Sequence, residues 1–191
     1  MPISRAFYLL RHGQTDWNLE GRYQGHADIP LNATGVAQAE AAAERLAGMQ
    51  IDRIVTSPLV RALKTAAIVA ERVGKGMHPD RGLIERSFGS FDGQVIREVK
   101  ARHGLRADEN SRNILPSDAD PWTEIFARAP RIVAKWQVAH PAETLLFVAH
   151  GGIFDGLHAH FLGPRTGAES KHACPYRFAP GPGGWSIDEV A

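Results

Sequence analysis

The chain has 191 residues, of which 43% are hydrophobic and 23% charged, and its formal net charge is +1. This composition is typical of a globular protein and excludes a disordered or fibrous chain. Because a net charge so close to zero creates no global electrostatic field, we expect neither nucleic acid nor a membrane as partner.

The first predicted element is a buried strand over residues 6–10, which ends in Arg11, His12 and Gly13. A continuous apolar run of this length is typical of a central parallel strand, and the glycine permits a sharp turn where the sheet ends. Side chains at that edge face the crevice in which α/β proteins bind ligands. His12 is therefore a candidate nucleophile, although a polar pair that merely closes a strand has the same local sequence.

Two helices and a second strand follow. A helix is predicted from about residue 32 to residue 47, because its apolar residues recur at helical spacing. Those residues are Val36, Ala39, Ala43 and Leu46. The second strand covers residues 53–57. Ser57-Pro58 predicts that the next helix begins there, since a serine cap followed by proline in the first turn is a favoured order.

The middle of the chain is less regular. We predict a short extended piece at 77–79, a glycine-bounded loop at 83–93 that contains Glu85, and a helix at 94–103. A polar surface excursion follows at 104–121. The next helix, at 122–138, is expected to be interrupted at Pro130. We expect one catalytic domain over residues 1–191, with a lid or substrate-specificity excursion at about 93–140.

The last strand repeats the pattern of the first. Residues 144–149 are apolar and end in His150, Gly151 and Gly152, after which a helix is predicted from about residue 153 to residue 162. A hairpin is expected around the glycines and prolines at 180–184. Strands that alternate with helices predict an α/β domain with a mostly parallel sheet.

Four polar residues are expected to meet at one edge of this sheet. The carboxyl ends of parallel strands share an edge, so His12, Arg61 and His150 can converge there, and the loop supplies Glu85. The N-termini of the helices after Pro58 and Gly152 would direct partial positive charge to the same place. The sequence therefore predicts an anion-binding site.

The residue types at this edge fit the transfer of a phosphoryl group. Arg11 and Arg61 can bind phosphate oxygens in pairs and neutralise a dianion. A neutral His12 can attack phosphorus if a backbone hydrogen bond to one ring nitrogen fixes its tautomer. We expect His150 to bind a phosphoryl oxygen and Glu85 to protonate the departing alkoxide.

With these motifs in this order, the chain resembles the histidine phosphatase superfamily, in the branch of cofactor-dependent phosphoglycerate mutases and related phosphatases. The resemblance covers Phe7 to Gly93 and Leu145 to Gly152. Its motifs are Arg11-His12-Gly13 with Trp17-Asn18, Gln24-Gly25 with Asp28 and Pro30-Leu31, Ser57-Pro58 with Arg61 and Thr65, Leu83 with Glu85-Arg86 and Gly89 to Gly93, and His150-Gly151-Gly152.

The resemblance implies a three-layer α/β/α fold with a mostly parallel central sheet and a phosphohistidine intermediate at His12. It implies phosphate contacts from Arg11, Asn18, Arg61 and His150, proton transfer by Glu85, and substrate contacts from the main chain near Gln24, Gly25 and Gly151. We expect no cofactor and no metal ion.

Two departures from the family pattern concern the substrate. Many relatives carry Gly-Glu-Ser where this chain has residues 117–122, and the mutases have a longer insertion with a basic pair that binds the substrate carboxylate. We find no such pair, and a solvated face is predicted for the interleaved basic stretch formed by Arg97, Lys100, Arg102, His103, Arg106 and Arg112. We predict hydrolysis of a small phosphomonoester, with phosphoglycerate mutase as the alternative.

Other classes of function are weaker. A zinc hydrolase is disfavoured, since His158 and His160 would lie on nearly opposite faces of a helix. A phosphate-binding module without turnover stays open, because the same residues would serve it. Cys174 alone cannot form an internal disulfide, and no secretion signal precedes the first strand, so we expect a cytoplasmic protein. The oligomeric state stays open, with a homodimer among the alternatives.

Overall fold

A computed structural model describes residues 2–164 and 170–191, and no helix in these ranges is long and apolar enough to cross a membrane. Its centre is a six-stranded sheet. The strands are β1 (Phe7–Arg11), β2 (Arg53–Thr56), β3 (Met77–Pro79), β4 (Leu145–Ala149), β5 (Pro175–Gly181) and β6 (Gly184–Glu189). The helices are α1 (Asp16–Leu19), α2 (Ala33–Leu46), α3 (Val60–Val73), α4 (Ile96–Arg102), α5 (Trp122–Ala139) and α6 (Gly151–Leu162).

The strand order of the sheet is β3-β2-β4-β1-β5-β6. The first four strands in this order run parallel, whereas β5 pairs antiparallel with β1 and β6 antiparallel with β5. The last two strands form the predicted hairpin, in which Gly181 pairs with Gly184 across a two-residue turn. The prediction of an α/β fold with a mostly parallel sheet is confirmed.

Helices cover both faces of the sheet. Side chains alternate along a strand, so Leu9 of β1 packs into one core and Leu10 into the other. The first core holds buried residues of α5 and α6, such as Ile125 and Ile153. The second core holds buried residues of α2 and α3, such as Leu46. These are the three layers that the resemblance implied.

The start of α3 differs from the prediction. The helix begins at Val60, two residues after Pro58, and the side chain of its N-cap residue, Leu59, makes no capping hydrogen bond. The main-chain N–H of Val60 donates instead to Asp28 Oδ1, at 2.6 Å. Ser57, the predicted cap, lies 2.8 Å through its Oγ from His150 Nε2. The Ser57 Oγ also accepts from the N–H of Leu59 at 3.3 Å, so Ser57 contacts both the turn before α3 and the site. The local sequence gives no sign of the cap from Asp28.

Three smaller predictions about helices are also corrected. Helix α5 continues through Pro130, because its buried side chains hold the flanking turns in place although proline removes one backbone hydrogen bond. Those side chains are Ile125, Ala129, Ile132 and Val133. Helix α6 begins at Gly151, two residues earlier than predicted. In α2 the buried stripe includes Gly35 and Ala42, and Val36 is only partly buried.

Gly13 lies where the chain leaves β1 and passes the first turn of α2. A Cβ atom at Gly13 would lie 2.3 Å from the main-chain oxygen of Gly35, and one at Gly48 would meet nothing within 4 Å. We expect Gly13→Ala to lower the free energy of unfolding by about 3 kcal/mol, because backbone atoms cannot move aside. The Tm should fall by roughly 6–12 °C. Gly48→Ala is the control, and equal Tm values for the two variants would contradict the close approach.

Candidate active site

A cavity of about 730 Å³ opens over the carboxyl ends of β1 and β4. Its lining contains six of the nine predicted site residues, which are Arg11, His12, Asn18, Gln24, Glu85 and Gly151. Arg61 and His150 lie behind this lining, with 0% and 1% of their surface exposed. The structure therefore brings together residues that are up to 140 positions apart in the chain, as the predicted shared edge requires.

His12 is held as a neutral imidazole. Its Nδ1 lies 2.7 Å from the main-chain oxygen of Gly13. A carbonyl oxygen only accepts hydrogen bonds, so Nδ1 carries the proton and Nε2 keeps its lone pair. Burial, with Arg61 and Arg11 nearby, lowers the pKa of His12 well below its ordinary value. A neutral ring with a lone pair on Nε2 is the form of histidine that can act as a nucleophile.

His150 is a second buried imidazole beside the first. The two ring centroids are 5.2 Å apart. The Nε2 atom of His150 is bound to Ser57, and its Nδ1 has no hydrogen-bond partner among the described residues. Burial lowers the pKa of His150, and the charge of Arg61 contributes further. A buried nitrogen without a hydrogen bond destabilises the protein unless a ligand supplies the missing partner.

The guanidinium of Arg61 is buried and is held by main-chain carbonyl groups. Nη1 donates to Ala27 and Nη2 to Gly25, at 2.8 and 2.9 Å. Its Nε has no partner among the described residues. Burial lowers the pKa of Arg61 to about 10, so the group remains a cation at neutral pH. The hydroxyl of Thr65 donates to the Arg61 carbonyl and accepts from the N–H of Gly13, which joins α3 to the loop after β1.

Glu85 is a buried carboxyl group aligned by two backbone donors. Its oxygens accept from the N–H groups of Arg86 and Gly152, at 2.9 and 3.0 Å. Burial raises the pKa of Glu85, and these two hydrogen bonds oppose the rise. A Cβ atom at Gly152 would lie 2.2 Å from the carboxylate, so a side chain there would displace it. A raised pKa suits a group that donates a proton.

Two amide side chains share the hydroxyl of Thr15. This hydroxyl lies 3.0 Å from Asn18 Oδ1 and 2.7 Å from Gln24 Oε1. Both amide oxygens therefore face Thr15. The Nε2 of Gln24 is buried without a partner in the described part of the chain. Both side chains line the cavity, so their amide N–H groups can serve a ligand.

Gly25 is placed differently from what the resemblance implied. It does not line the cavity. Its N–H donates to Asp92 Oδ1 at 3.0 Å, and its carbonyl accepts from Arg61. Both backbone groups of Gly25 are therefore hydrogen-bonded within the protein, and its carbonyl holds the guanidinium of Arg61. Asp92, which holds the N–H of Gly25, is a residue that the sequence did not single out.

The predicted solvated face is wrong for two residues of the basic stretch. Lys100 and Arg112 line the cavity, whereas Arg97, Arg102 and Arg106 are exposed. Arg112 is turned inward because its guanidinium lies over Trp122, with Cζ 4.5 Å from the ring centroid. This contact joins a loop to the start of α5. A local charge pattern could not indicate it.

Further cavity residues come from the region that departs from the family pattern and from the C-terminal part of the chain. They are Trp122, Ser170 and His172. Of the predicted excursion at 93–140, the part up to Trp122 contributes to the cavity, and the rest of α5 packs in the core. Within residues 2–164 and 170–191, no group of three or more His, Cys, Asp or Glu side chains could hold a metal ion.

Comparison with known proteins identifies the family. The sequence profile of the histidine phosphatase superfamily (branch 1) matches residues 7–190, and the chain belongs to this family. The uncharacterized phosphatase PhoE of Bacillus subtilis (strain 168) is 38% identical over 152 residues, which are 80% of this chain and 75% of PhoE. This confirms the predicted family and its enzyme class, a histidine phosphatase.

Two mycobacterial comparisons agree with this result. The glucosyl-3-phosphoglycerate phosphatase of Mycolicibacterium vanbaalenii is 35% identical over 168 residues, which are 83% of this chain and 75% of that protein. A solved structure of a mycobacterial glucosyl-3-phosphoglycerate phosphatase with VO3 has a TM-score of 0.82 at 28% identity. The match covers 97% of this chain and 98% of the other.

We expect His12 and His150 to titrate below their ordinary pKa of 6.5. The unfolded chain then binds more protons than the folded protein below pH 6.5, so the free energy of unfolding falls as the pH drops through this range. Nitrogen NMR should show the Nδ1-protonated tautomer of His12 at pH 7, assigned by its loss in His12→Gln. An Nε2-protonated His12, or a ring that titrates at 6.5 or above, would contradict this electrostatic account.

Proposed function

We propose that this histidine phosphatase hydrolyses phosphomonoesters of small metabolites through a phosphohistidine at His12. The observation that carries the proposal is the neutral ring of His12, whose proton is held on Nδ1 by Gly13 and whose Nε2 is left for attack. The cationic Arg11 beside it and the buried acid Glu85 line the same cavity.

The bound phosphoryl group completes donors that otherwise have no partner. Three nitrogen atoms of the site are buried without a hydrogen-bond partner among the described residues: Arg61 Nε, His150 Nδ1 and Gln24 Nε2. For His150 to donate from Nδ1, the Ser57 hydroxyl must donate to its Nε2, and a phosphoryl oxygen selects this tautomer. Together with Arg11 and the amide of Asn18, these groups match the charge that spreads over the phosphoryl oxygens in the transition state.

The reaction has two steps, in which the phosphohistidine forms and is then hydrolysed. The lone pair of His12 Nε2 forms a bond to phosphorus while the ester P–O bond breaks, and Glu85 gives its proton to the leaving oxygen. Glu85, now a carboxylate, takes a proton from water. The water oxygen then attacks phosphorus and the P–N bond breaks, which releases inorganic phosphate and restores neutral His12.

A second part of the cavity lining, the basic wall, contains Arg22, Lys100 and Arg112. Arg22 is paired with Glu20 and donates to the Gly93 carbonyl, and the acidic Asp108 in the same lining is engaged by Arg106. The Nε of Arg112 and the Nε1 of Trp122 are buried without partners in the described part of the chain. Such donors need an acceptor. We propose that this wall binds an anionic group of the leaving alcohol, a carboxylate first of all.

The relatives support this substrate class. The substrate for which the mycobacterial relatives are named, a glucosyl-3-phosphoglycerate, carries a carboxylate as well as its phosphate ester. We assign hydrolysis over phosphoglycerate mutase activity, in line with the phosphatase relatives. Incubation with 3-phosphoglycerate and 2,3-bisphosphoglycerate should release phosphate. Rapid formation of 2-phosphoglycerate without phosphate would reverse this assignment.

The proposed reaction needs no metal ion, because guanidinium groups supply the positive charge. Activity is expected to survive exhaustive chelation. We place the reaction in the cytoplasm, where phosphorylated metabolites are made and retained.

We expect His12→Ala to lower kcat for an aryl phosphate by at least about a thousandfold, because it removes the ring nitrogen that accepts the phosphoryl group. Labelled substrate should leave an acid-labile, alkali-stable label on the wild type and none on the variant. His103→Ala, at an exposed histidine, is the control. Hydrolysis by His12→Ala at the wild-type rate would contradict the mechanism, and a wild type that binds phosphate without hydrolysis would indicate a binding module.

We expect Arg112→Gln to raise KM for 3-phosphoglycerate about tenfold and to leave KM for glycerol 3-phosphate within about twofold, because only the first leaving group carries a carboxylate. Arg97→Gln removes an exposed arginine of the same stretch and should change neither constant. Equal losses for both substrates would show that Arg112 supports the fold and not substrate choice.

A further inference from the structure

Residues 170–173 form a side of the phosphoryl site that no sequence motif indicates. Three hydrogen bonds join this segment to the end of β1. The carbonyl of Ser170 accepts from Arg11 Nη1 at 2.6 Å, and the N–H of Ala173 donates to the Arg11 carbonyl at 3.0 Å. The ring of His172 lies with Nδ1 3.2 Å from the His12 carbonyl. The segment thus contacts both the phosphate-binding arginine and the nucleophile.

The backbone of this segment is strained. Ala173 has a φ of 44°, and it is the one non-glycine residue with a positive φ in residues 2–164 and 170–191. A side-chain-bearing residue keeps this conformation only where its surroundings impose it, and such residues cluster at functional sites. Ala173 is 1% exposed and hydrogen-bonds to β1, so the packing against β1 imposes the turn.

The hydroxyl of Ser170 has no partner. Ser170 is 4% exposed, its Oγ is without a hydrogen bond in the described part of the chain, and it lines the cavity next to Arg11. Burial of a hydroxyl without a partner is unfavourable. A phosphoryl oxygen bound by Arg11 supplies the missing acceptor, in a charge-assisted hydrogen bond.

His172 contacts both the main chain and the ring of His12. Its ring centroid is 5.5 Å from that of His12, and its bond to the His12 carbonyl requires the proton on Nδ1, since a carbonyl only accepts. A side chain that holds the main chain of the nucleophile limits how far Nε2 of His12 can move from the line of attack. Small displacements of reacting groups lower the reaction rate strongly.

We propose that Ser170 donates a hydrogen bond to the transferred phosphoryl group and that His172 is a positioning residue for His12. This inference rests on the proposed function, because it concerns the same phosphoryl group and nucleophile. It assigns to the segment at 170–173 a part in the reaction that neither the family motifs nor the charge pattern indicates.

Orthovanadate, an analogue of the five-coordinate phosphoryl group, tests the role of Ser170. Calorimetry should show a Kd for orthovanadate about tenfold higher in Ser170→Ala than in the wild type. Ser186→Ala, which removes an exposed hydroxyl bonded to Asp188, should leave the Kd unchanged. If Ser170→Ala does not fold, Ser170→Cys keeps the size with a weak donor. A Kd within twofold of the wild type in either folded variant overturns the assignment.

Kinetics of two variants test His172. We expect His172→Ala to lower kcat about tenfold, with KM within twofold and a smaller burst of phosphoenzyme. His172→Asn keeps an N–H donor, so its kcat should lie within about threefold of the wild type. Unchanged kcat in His172→Ala, or equal losses in both variants, overturns the positioning role. If the wild type forms no phosphoenzyme, the proposed function fails, and the orthovanadate result still decides the role of Ser170.

Discussion

The burial of the Arg61 guanidinium is the constraint on which the rest of this site depends. A buried charge is expensive unless hydrogen bonds and nearby opposite charges compensate it. Here Arg61 donates hydrogen bonds to the carbonyls of Ala27 and Gly25, and the negative charge of Asp28 lies close enough to favour the charged form. The compensation is incomplete, because Nε has no partner in the described residues. The fold therefore keeps a cation in place whose remaining donor can be satisfied by an anion.

The same charge sets the protonation of the groups around it. Burial is the first cause of the lowered pKa values of His12 and His150, and Arg61 is the next. Burial also raises the pKa of Glu85, against the opposing pull of its backbone donors and of Arg61. Lowered imidazole pKa values and a raised carboxyl pKa both favour the neutral forms that nucleophilic attack and leaving-group protonation require. One buried environment thus prepares opposite kinds of group for one reaction.

Close backbone approaches hold this arrangement, and glycines make them feasible. Gly13 lies against the carbonyl of Gly35, and Gly152 lies against the carboxylate of Glu85. The first contact fixes the loop that carries the acceptor for His12 Nδ1. The second aligns the acid with the N-terminus of α6. The glycines of the motifs are therefore required by contacts with distant parts of the chain as well as by local turns.

The two sides of the cavity differ in origin. The side that we propose for the phosphoryl group comes from residues that follow β1 and β4 and from the Glu85 loop, and most of these residues were predicted from the sequence. The basic wall comes from α4, the following loop and the first turn of α5, which contribute Lys100, Arg112 and Trp122. In our proposal the phosphoryl chemistry and the selectivity for a leaving group are therefore carried by different parts of the chain.

Local sequence was enough to predict β1, β4, α2, the C-terminal hairpin and the convergence of His12, Arg61, Glu85 and His150. Hydrophobic periodicity shows which residues are buried, and parallel strands bring their carboxyl ends to one edge. Four further features became visible only in the folded protein: Asp28 caps α3, Gly25 accepts from Arg61, Arg112 turns inward onto Trp122, and residues 170–173 reach His12. Each of these is a contact between polar groups far apart in the chain. Local pattern shows that a polar group needs a partner, and only the fold selects which one it meets.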